Sequence, residues 1–243
     1  MQQNYRENIT KGKLYLIPTT IAEGSEQNSL PQSVYNSIKK INIFIVENIR
    51  TSRRFIKIID KDRDIDKIIF HEYGKHNKLN LQDDFISYIL NGNDIGVISE
   101  AGTPCVADPG SKIVDYAHQF NIEVIPISGP SSIILSLMGS GFNGQKFAFN
   151  GYLPINKKER EKNIKKLEFL CKKNNQTQII METPYRNIKL FESIIKTCSN
   201  NTKLCIATNL THINQKIESK LIKEWKTIIP NIHKKPTIFI ISS

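Results

Sequence analysis

Five short apolar runs, rich in β-branched residues, punctuate the first half of the chain at regular intervals: KLYLIP (13–18), INIFIV (41–46), KIIFH (67–71), IGVIS (95–99) and EVIPI (123–127). Continuous apolar runs of this length suit strands buried on both faces of a parallel sheet. Between them, residues 34–40, 51–59, 83–90 and 112–120 carry apolar positions at helical spacing, the second of these with a basic outer face. Residues 19–31 are polar and read as an ordered loop. Strands alternating with helices at this rhythm predict βαβ units and a mostly parallel sheet.

The second half has a different rhythm. An apolar helix at 133–138 is followed by a strand leading into a turn at 147–154, and then by a highly charged helix at 157–173. A strand at 178–182 ends at Thr183-Pro184, a helix follows at 188–198, and further strands are expected at 203–207 and 237–241. The change of rhythm falls near residues 128–131. It predicts an α/β protein of two domains, 1–127 with a mostly parallel sheet and 128–243 with a mixed one.

Composition narrows the classes. With 243 residues, 39% hydrophobic and 23% charged, the chain suits a globular protein with one large core or two modest ones. A formal net charge of +11 favours a polyanionic partner, although a lysine-rich, merely solvated surface has the same signature. Cys105, Cys171, Cys198 and Cys205 form no CxxC pair and have no histidine at ligand spacing, so reduced thiols are expected rather than a zinc site or a disulfide framework. The first twelve residues lack the apolar stretch of a signal peptide, and no apolar run reaches membrane-spanning length. A soluble, cytoplasmic protein is expected.

Candidate chemistry gathers behind the strands. The stretch VISEAGTPCVADPGSKIV (97–114) packs Gly102, Pro104, Pro109 and Gly110 into one strand-to-helix junction, more backbone-shaping residues than a plain connection needs. It reads either as a backbone cradle for a small ligand or as an elaborate loop in which Asp108 caps the next helix. IPISGPSS (125–132) repeats the theme, its serines opening a helix, and NGYLP (150–154) and METPYR (181–186) follow later strands. Ligands of open α/β sheets sit outside the carboxyl ends of the strands, where the first-half stretches fall. Glu47, just past a buried strand, is a candidate base or substrate orienter, unless it is taken by an ion pair with Arg50 or Arg53. Arg50, Arg53 and Arg54 on one helix suit phosphate oxygens. His71 and Arg186 also follow strands; Arg186 has either a substrate phosphate or Glu182 as partner. No Ser-His-Asp set, metal cluster or phosphate-binding P-loop is present in the sequence.

The ordered series LYLIPT, IVENIRTSRRF, FHEYGKHN, ISEAGTPCVADPG, PISGPSS, FAFNGYLP and METPYRN spans nearly the whole chain. It resembles the tetrapyrrole-methylase superfamily and, within it, the ribosomal RNA small subunit methyltransferase I branch. The resemblance implies two α/β domains, S-adenosylmethionine in the cleft between them, a homodimer, and methylation of a cytidine ribose 2′-hydroxyl in ribosomal RNA. Carried over residue by residue, it assigns Pro18, then Glu100, Ala101, Gly102, Thr103 and Val106, to the methyl donor. It adds Ser131, Ser132 and Thr183, with Leu210 and Pro236 from the second domain. Glu47 and Arg50 become the catalytic candidates, and Arg53, Arg54, His71 and Arg186 the substrate-binding ones. The chain departs from the family pattern in three places: Pro18 is followed by TTIAEG, Asn48 stands where a second carboxylate is usual, and TNLTH (208–212) replaces a more charged motif. It also runs only two residues past its last expected strand. Two other readings compatible with these departures are a methyltransferase acting on a small molecule such as a tetrapyrrole, and a non-catalytic RNA-binding or assembly module.

Overall fold

The β-branched runs of the first half form one parallel sheet. The structure is a computed structural model and describes residues 11–74, 80 and 85–243, so the expectations for residues 1–10, 75–79 and 81–84 lie outside the described residues. The chain divides into two compact units, Met1–Pro130 and Ser131–Ser243. In the first, β1 (Leu14–Ile17), β2 (Ile43–Val46), β3 (Ile69–Glu72), β4 (Ile95–Ile98) and β5 (Val124–Pro126) lie in the order β3-β2-β4-β1-β5. Every neighbouring pair is parallel. Ile17 and Val46 both pair with Ile98, and Val46 also pairs with Glu72, so the carboxyl ends of four strands are flush.

Helices cover both faces of this sheet. On one face α2 (Gln32–Lys40) and α3 (Ile49–Ile59) bury Val34, Ile38, Phe55 and Ile56 against Ile17, Phe44, Val46 and Ile98. On the other, Phe85, Ile86 and α4 (Ser87–Leu90) with α5 (Ser111–Gln119) pack against Leu14, Ile43, Ile45, Ile95 and Val97. Thus β1 leads to a helix on one face and the adjacent β4 to a helix on the other. That is a topological switch point, where the two outgoing loops separate and leave a crevice. The polar segment after β1 contains one helical turn, α1 (Glu26–Ser29).

The second unit has a mixed sheet. Its strands are β6 (Phe147–Tyr152), β7 (Thr177–Glu182), β8 (Lys203–Thr208), β9 (Lys216–Leu221) and β10 (Thr237–Ser242), in the order β6-β7-β10-β8-β9. Only β6 and β7 are parallel; the other three pairs are antiparallel. Helices α7 (Lys157–Asn174) and α8 (Asn187–Thr197) bury Ile164, Leu167, Leu190 and Ile194 against Ile180, Ile206 and Phe239. The apolar helix α6 (Ser132–Ser140) packs on β8, β9 and β10, and α9 (Ile222–Trp225) sends the Trp225 indole N–H to the Leu204 carbonyl at 2.9 Å. All four cysteines are free thiols, and burial raises those of Cys171 and Cys198 to about 11 and about 12.

Candidate functional site: a strand-end cradle beside a carboxylate cluster

At the switch point the loops after β1, β4 and β5 press on one another. The Thr19 amide donates to the Gly102 carbonyl at 2.9 Å, and the Thr19 hydroxyl donates to the Ser99 carbonyl at 3.3 Å. Ser99, buried, sends its hydroxyl to the same Gly102 carbonyl at 2.9 Å. A side chain on Gly129 would come within 2.3 Å of the Pro18 ring, and one on Gly102 within 3.0 Å of the Pro130 carbonyl. Both glycines therefore allow a backbone approach that no other residue permits.

The loop after β4 is wound through unusual backbone. Gly102, Cys105, Ala107 and Gly110 all have positive φ, at 77°, 66°, 64° and 130°. For Cys105 and Ala107 the left-handed region costs about 1 kcal/mol or more each, a strain that clusters at functional loops. Asp108 does not cap the following helix. The cap position of α5 is Gly110, without a side-chain hydrogen bond, because the turn at Gly110 separates Asp108 from the helix start.

Asp108 instead faces acid. Burial, then the charges of Glu47 and Glu100, raise its carboxyl to about 6. Burial also raises Glu47; an N–H from Glu100 to its Oε1 at 3.3 Å partly offsets this, and the Glu100 charge adds to it. The Cys105 thiol is pushed up to about 11 by burial and then by Asp108 and Glu47, so it is no nucleophile at neutral pH. The ion pair considered for Glu47 is absent among the described residues. Arg53 turns to Asp66 at 2.6 Å, and Arg50 is exposed.

Asn48, the amide in place of a carboxylate, caps α3 by accepting from the Thr51 amide at 3.1 Å. Thr51 then donates its hydroxyl to Glu100 at 2.9 Å, tying α3 to the β4 loop. A depression of about 310 Å³ opens here, lined by Thr19, Ile21, Thr51, Arg54, Glu100 and Ala101. The sequence reading missed Thr19, Ser99 and Thr51; hydroxyl residues at strand ends and in a first helical turn were the available signal. Thr103 is half-buried, and Val106 is exposed in the same loop. His71 is half-buried on β3 with its ring tilted against Tyr88, so it is not the surface residue that lone histidines usually are.

In the second unit the remaining candidates lie at one end of the sheet. Thr237 at the start of β10 pairs with Glu182 and with Thr208, which places Thr183, Leu210 and Pro236 at that end. The Asn209 amide donates to the Pro236 carbonyl at 3.0 Å, and the Lys234 amide to the Pro184 carbonyl at 3.1 Å. Leu210, buried, sits between two left-handed residues, Asn209 at φ 51° and Thr211 at φ 66°. Arg186 takes the intramolecular option: its guanidinium donates to the buried Glu182 carboxylate from Nε at 2.9 Å and from a terminal nitrogen at 2.5 Å. Ser131 stands at the cap position of α6 without a side-chain cap bond, and Ser132 begins the helix.

No protein-family profile matches the chain. A curated relative, the ribosomal RNA small subunit methyltransferase I of Buchnera aphidicola subsp. Schizaphis graminum, is 30% identical over 233 residues, covering 95% of this chain and 78% of the relative. The chain belongs to the ribosomal RNA small subunit methyltransferase I family. Another relative of the same name, from Streptococcus pyogenes serotype M6, is 28% identical over 225 residues, 92% of this chain and 74% of its own. Among solved structures, the uroporphyrin-III-C-methyltransferase from Thermus thermophilus shares the fold at a TM-score of 0.55 and 12% identity, covering 95% of this chain and 92% of that one. The methyltransferase CobJ does so at 0.60 and 13%, covering 96% and 94%. The protein is thus a methyltransferase of the two-domain tetrapyrrole-methylase fold, with S-adenosylmethionine as its methyl donor. The residues present fit that donor. Three mutually repelling carboxyls beside a backbone cradle favour a cationic ligand, and a sulfonium is one. Among the described residues, no helix is long and apolar enough to cross a membrane.

Proposed function

We propose that the chain transfers a methyl group from S-adenosylmethionine to ribosomal RNA, at the 2′-oxygen of a cytidine ribose. What carries this reading is the meeting of the β1, β4 and β5 loops at the switch point beside Glu47, Glu100 and Asp108. Pro18, the backbone of Glu100, Ala101, Gly102 and Thr103, Val106, Ser131, Ser132, Thr183, Leu210 and Pro236 are the donor contacts in this reading. When bound, the donor supplies an already activated methyl group, so the chain's own work is alignment and exclusion of water.

Glu47 orients the ribose hydroxyl and takes its proton, a role suited to a carboxyl that burial makes more basic. Arg50 and Arg54, exposed on α3, and Arg53 beside them bind flanking phosphates. Arg50 also stabilises charge developing on the acceptor oxygen. His71 borders the acceptor side. Arg186, locked to Glu182, shapes the loop that carries Thr183. A cytoplasmic homodimer completes the proposal.

Calorimetric titration with S-adenosylmethionine and S-adenosylhomocysteine tests the site. One saturable site per chain is expected, lost in Thr103→Trp, with the sulfonium preferred over its neutral product. Absence of binding both with and without small-subunit ribosomal RNA would overturn the assignment.

A further inference from the structure

The excess positive charge is not spread over the molecule. Residues 131–243 hold 19 Lys and Arg against 7 Glu and no Asp, a net of +12, while residues 1–130 hold 15 basic against 16 acidic residues, a net of −1. Within the second unit the charge gathers on α7, whose 18 residues carry eight basic side chains and three glutamates.

Helical geometry sorts these side chains. At 100° per residue, Arg160, Ile164, Leu167 and Cys171 share the buried face. Lys158, Lys162, Lys165, Lys166, Phe169 and Lys173 fall on the opposite one, and all six are exposed. Two of the glutamates are engaged elsewhere: Glu161 pairs with Lys196 at 3.1 Å, and the buried Glu168 accepts from the Ser199 amide at 2.7 Å. Among the described residues, Lys158, Lys162, Lys165 and Lys166 have no carboxylate partner. The helix is also pinned. Buried Arg160 donates to the Ser193 hydroxyl at 3.0 Å and to the Ile155 carbonyl at 2.8 Å, which fixes its amino-terminal end on α8. The result is a lysine row about 22 Å long from Lys158 to Lys173. Phe169, 58% exposed, lies within it under the Lys173 ammonium at 5.6 Å.

We infer that the outer face of α7 is an RNA-docking surface, its lysines following the phosphate backbone and Phe169 offering a stacking plane to an unpaired base. Lysine rows neutralise phosphates and release counterions without reading sequence. An exposed aromatic among them suits single-stranded nucleic acid. A membrane surface fits poorly, because an interfacial helix turns a broad apolar face outward and α7 has only Phe169 there. The inference rests on the RNA reading above and names the element that anchors the substrate.

The test titrates the full chain with deproteinised small-subunit ribosomal RNA across a series of KCl concentrations. One variant combines Lys158→Gln, Lys162→Gln, Lys165→Gln and Lys166→Gln. A charge-matched control combines Lys146→Gln, Lys203→Gln, Lys223→Gln and Lys226→Gln, exposed positions elsewhere in the same unit. Unchanged thermal unfolding is expected for both, since all eight side chains are exposed and no buried group loses a partner.

The α7 variant is expected to bind at least about tenfold more weakly at 0.1 M salt and to lose about three from the slope of log K against log salt. The control should lose less than about one. Phe169→Ala should weaken binding about fivefold or more with the slope unchanged. Equal losses in the two quadruple variants, or none in either, would overturn the inference; so would tighter, α7-dependent binding to phosphatidylglycerol vesicles. No effect of Phe169→Ala would remove the stacking role. Methyl transfer to RNA separates the two proposals: its absence in the unaltered protein sinks the functional reading, whereas normal transfer with α7-independent binding sinks this one alone.

Discussion

Asp108 links the cradle to pH. Its carboxyl keeps a proton up to about 6 in the folded chain, whereas an unfolded aspartate loses it near 3.9. Between those values the native state binds more protons than the unfolded one, so stability falls as pH rises from about 4 to about 6. Asp108→Asn removes that dependence. Water tempers both the burial cost and the repulsion on this half-buried side chain, so the expected gain is about 1 kcal/mol, or roughly 2–4 °C in melting temperature at pH 7.5. At pH 4 no gain is expected. Scanning calorimetry at both values checks this, and equal shifts at the two would contradict a charged Asp108 as the source of the cost. Gly102 has the opposite character. At φ 77° with the Pro130 carbonyl 3.0 Å from any added Cβ, Gly102→Ala should cost about 1–3 kcal/mol and weaken donor binding by at least about tenfold. Urea unfolding and calorimetric titration measure the two losses. The concentration of Gly and Pro in this loop was legible in the sequence. The left-handed turns at Cys105 and Ala107 were not, since neither residue type favours them and the surrounding packing imposes them.

Among the elements, continuous buried apolar runs were the most readable, whereas a charged edge strand and a single helical turn were missed. β2, IFIV, and β10, TIFIIS, are buried along their whole length, and their sequences say so. β9, KIESKL, lies at a sheet edge, half its positions charged, and its composition matches a loop equally well. α1 is a single turn in a polar segment, too short for any periodicity. The end of the second sheet depends on an equally inconspicuous residue. The buried Asn187 amide nitrogen lies within 2.7–3.1 Å of the Ile232 and Lys235 carbonyls and the Thr237 hydroxyl, so it holds the segment before β10 against α8. Asn187→Ala leaves those acceptors unsatisfied and should cost about 2–3 kcal/mol. Because Pro236, a donor contact in the proposed function, lies within the tethered segment, donor affinity should fall with stability. Asn187→Asp, which lacks the amide donors, should behave like Ala, and if both variants unfold at the unaltered urea midpoint the tether has no energetic weight.

At the scale of the whole molecule, the carboxylate cluster and the excess positive charge belong to different units. The carboxylate cluster and the three-loop cradle belong to residues 1–130, whose net charge is −1, whereas α7 belongs to the half that carries +12. The total of +11 was plain in the sequence, but its assignment to Arg50, Arg53 and Arg54 rested on local clustering. Arg53 is already paired with Asp66, which leaves two free guanidiniums on α3 against a row of unpaired lysines on α7. Long-range attraction scales with summed charge, and alignment at a reacting atom scales with position. The two sets should therefore divide the kinetics. Arg50→Gln with Arg54→Gln is expected to lower kcat about tenfold or more, while costing less RNA affinity and less salt slope than the four α7 substitutions. The α7 substitutions should raise KM for RNA with kcat nearly unchanged at saturating RNA. Steady-state methyl transfer from radiolabelled donor, with RNA varied at two salt concentrations, reads both parameters. A fall in kcat from the α7 variant at saturating RNA would place α7 in alignment rather than capture, and a KM effect alone from the α3 variant would return the anchoring role to the first unit.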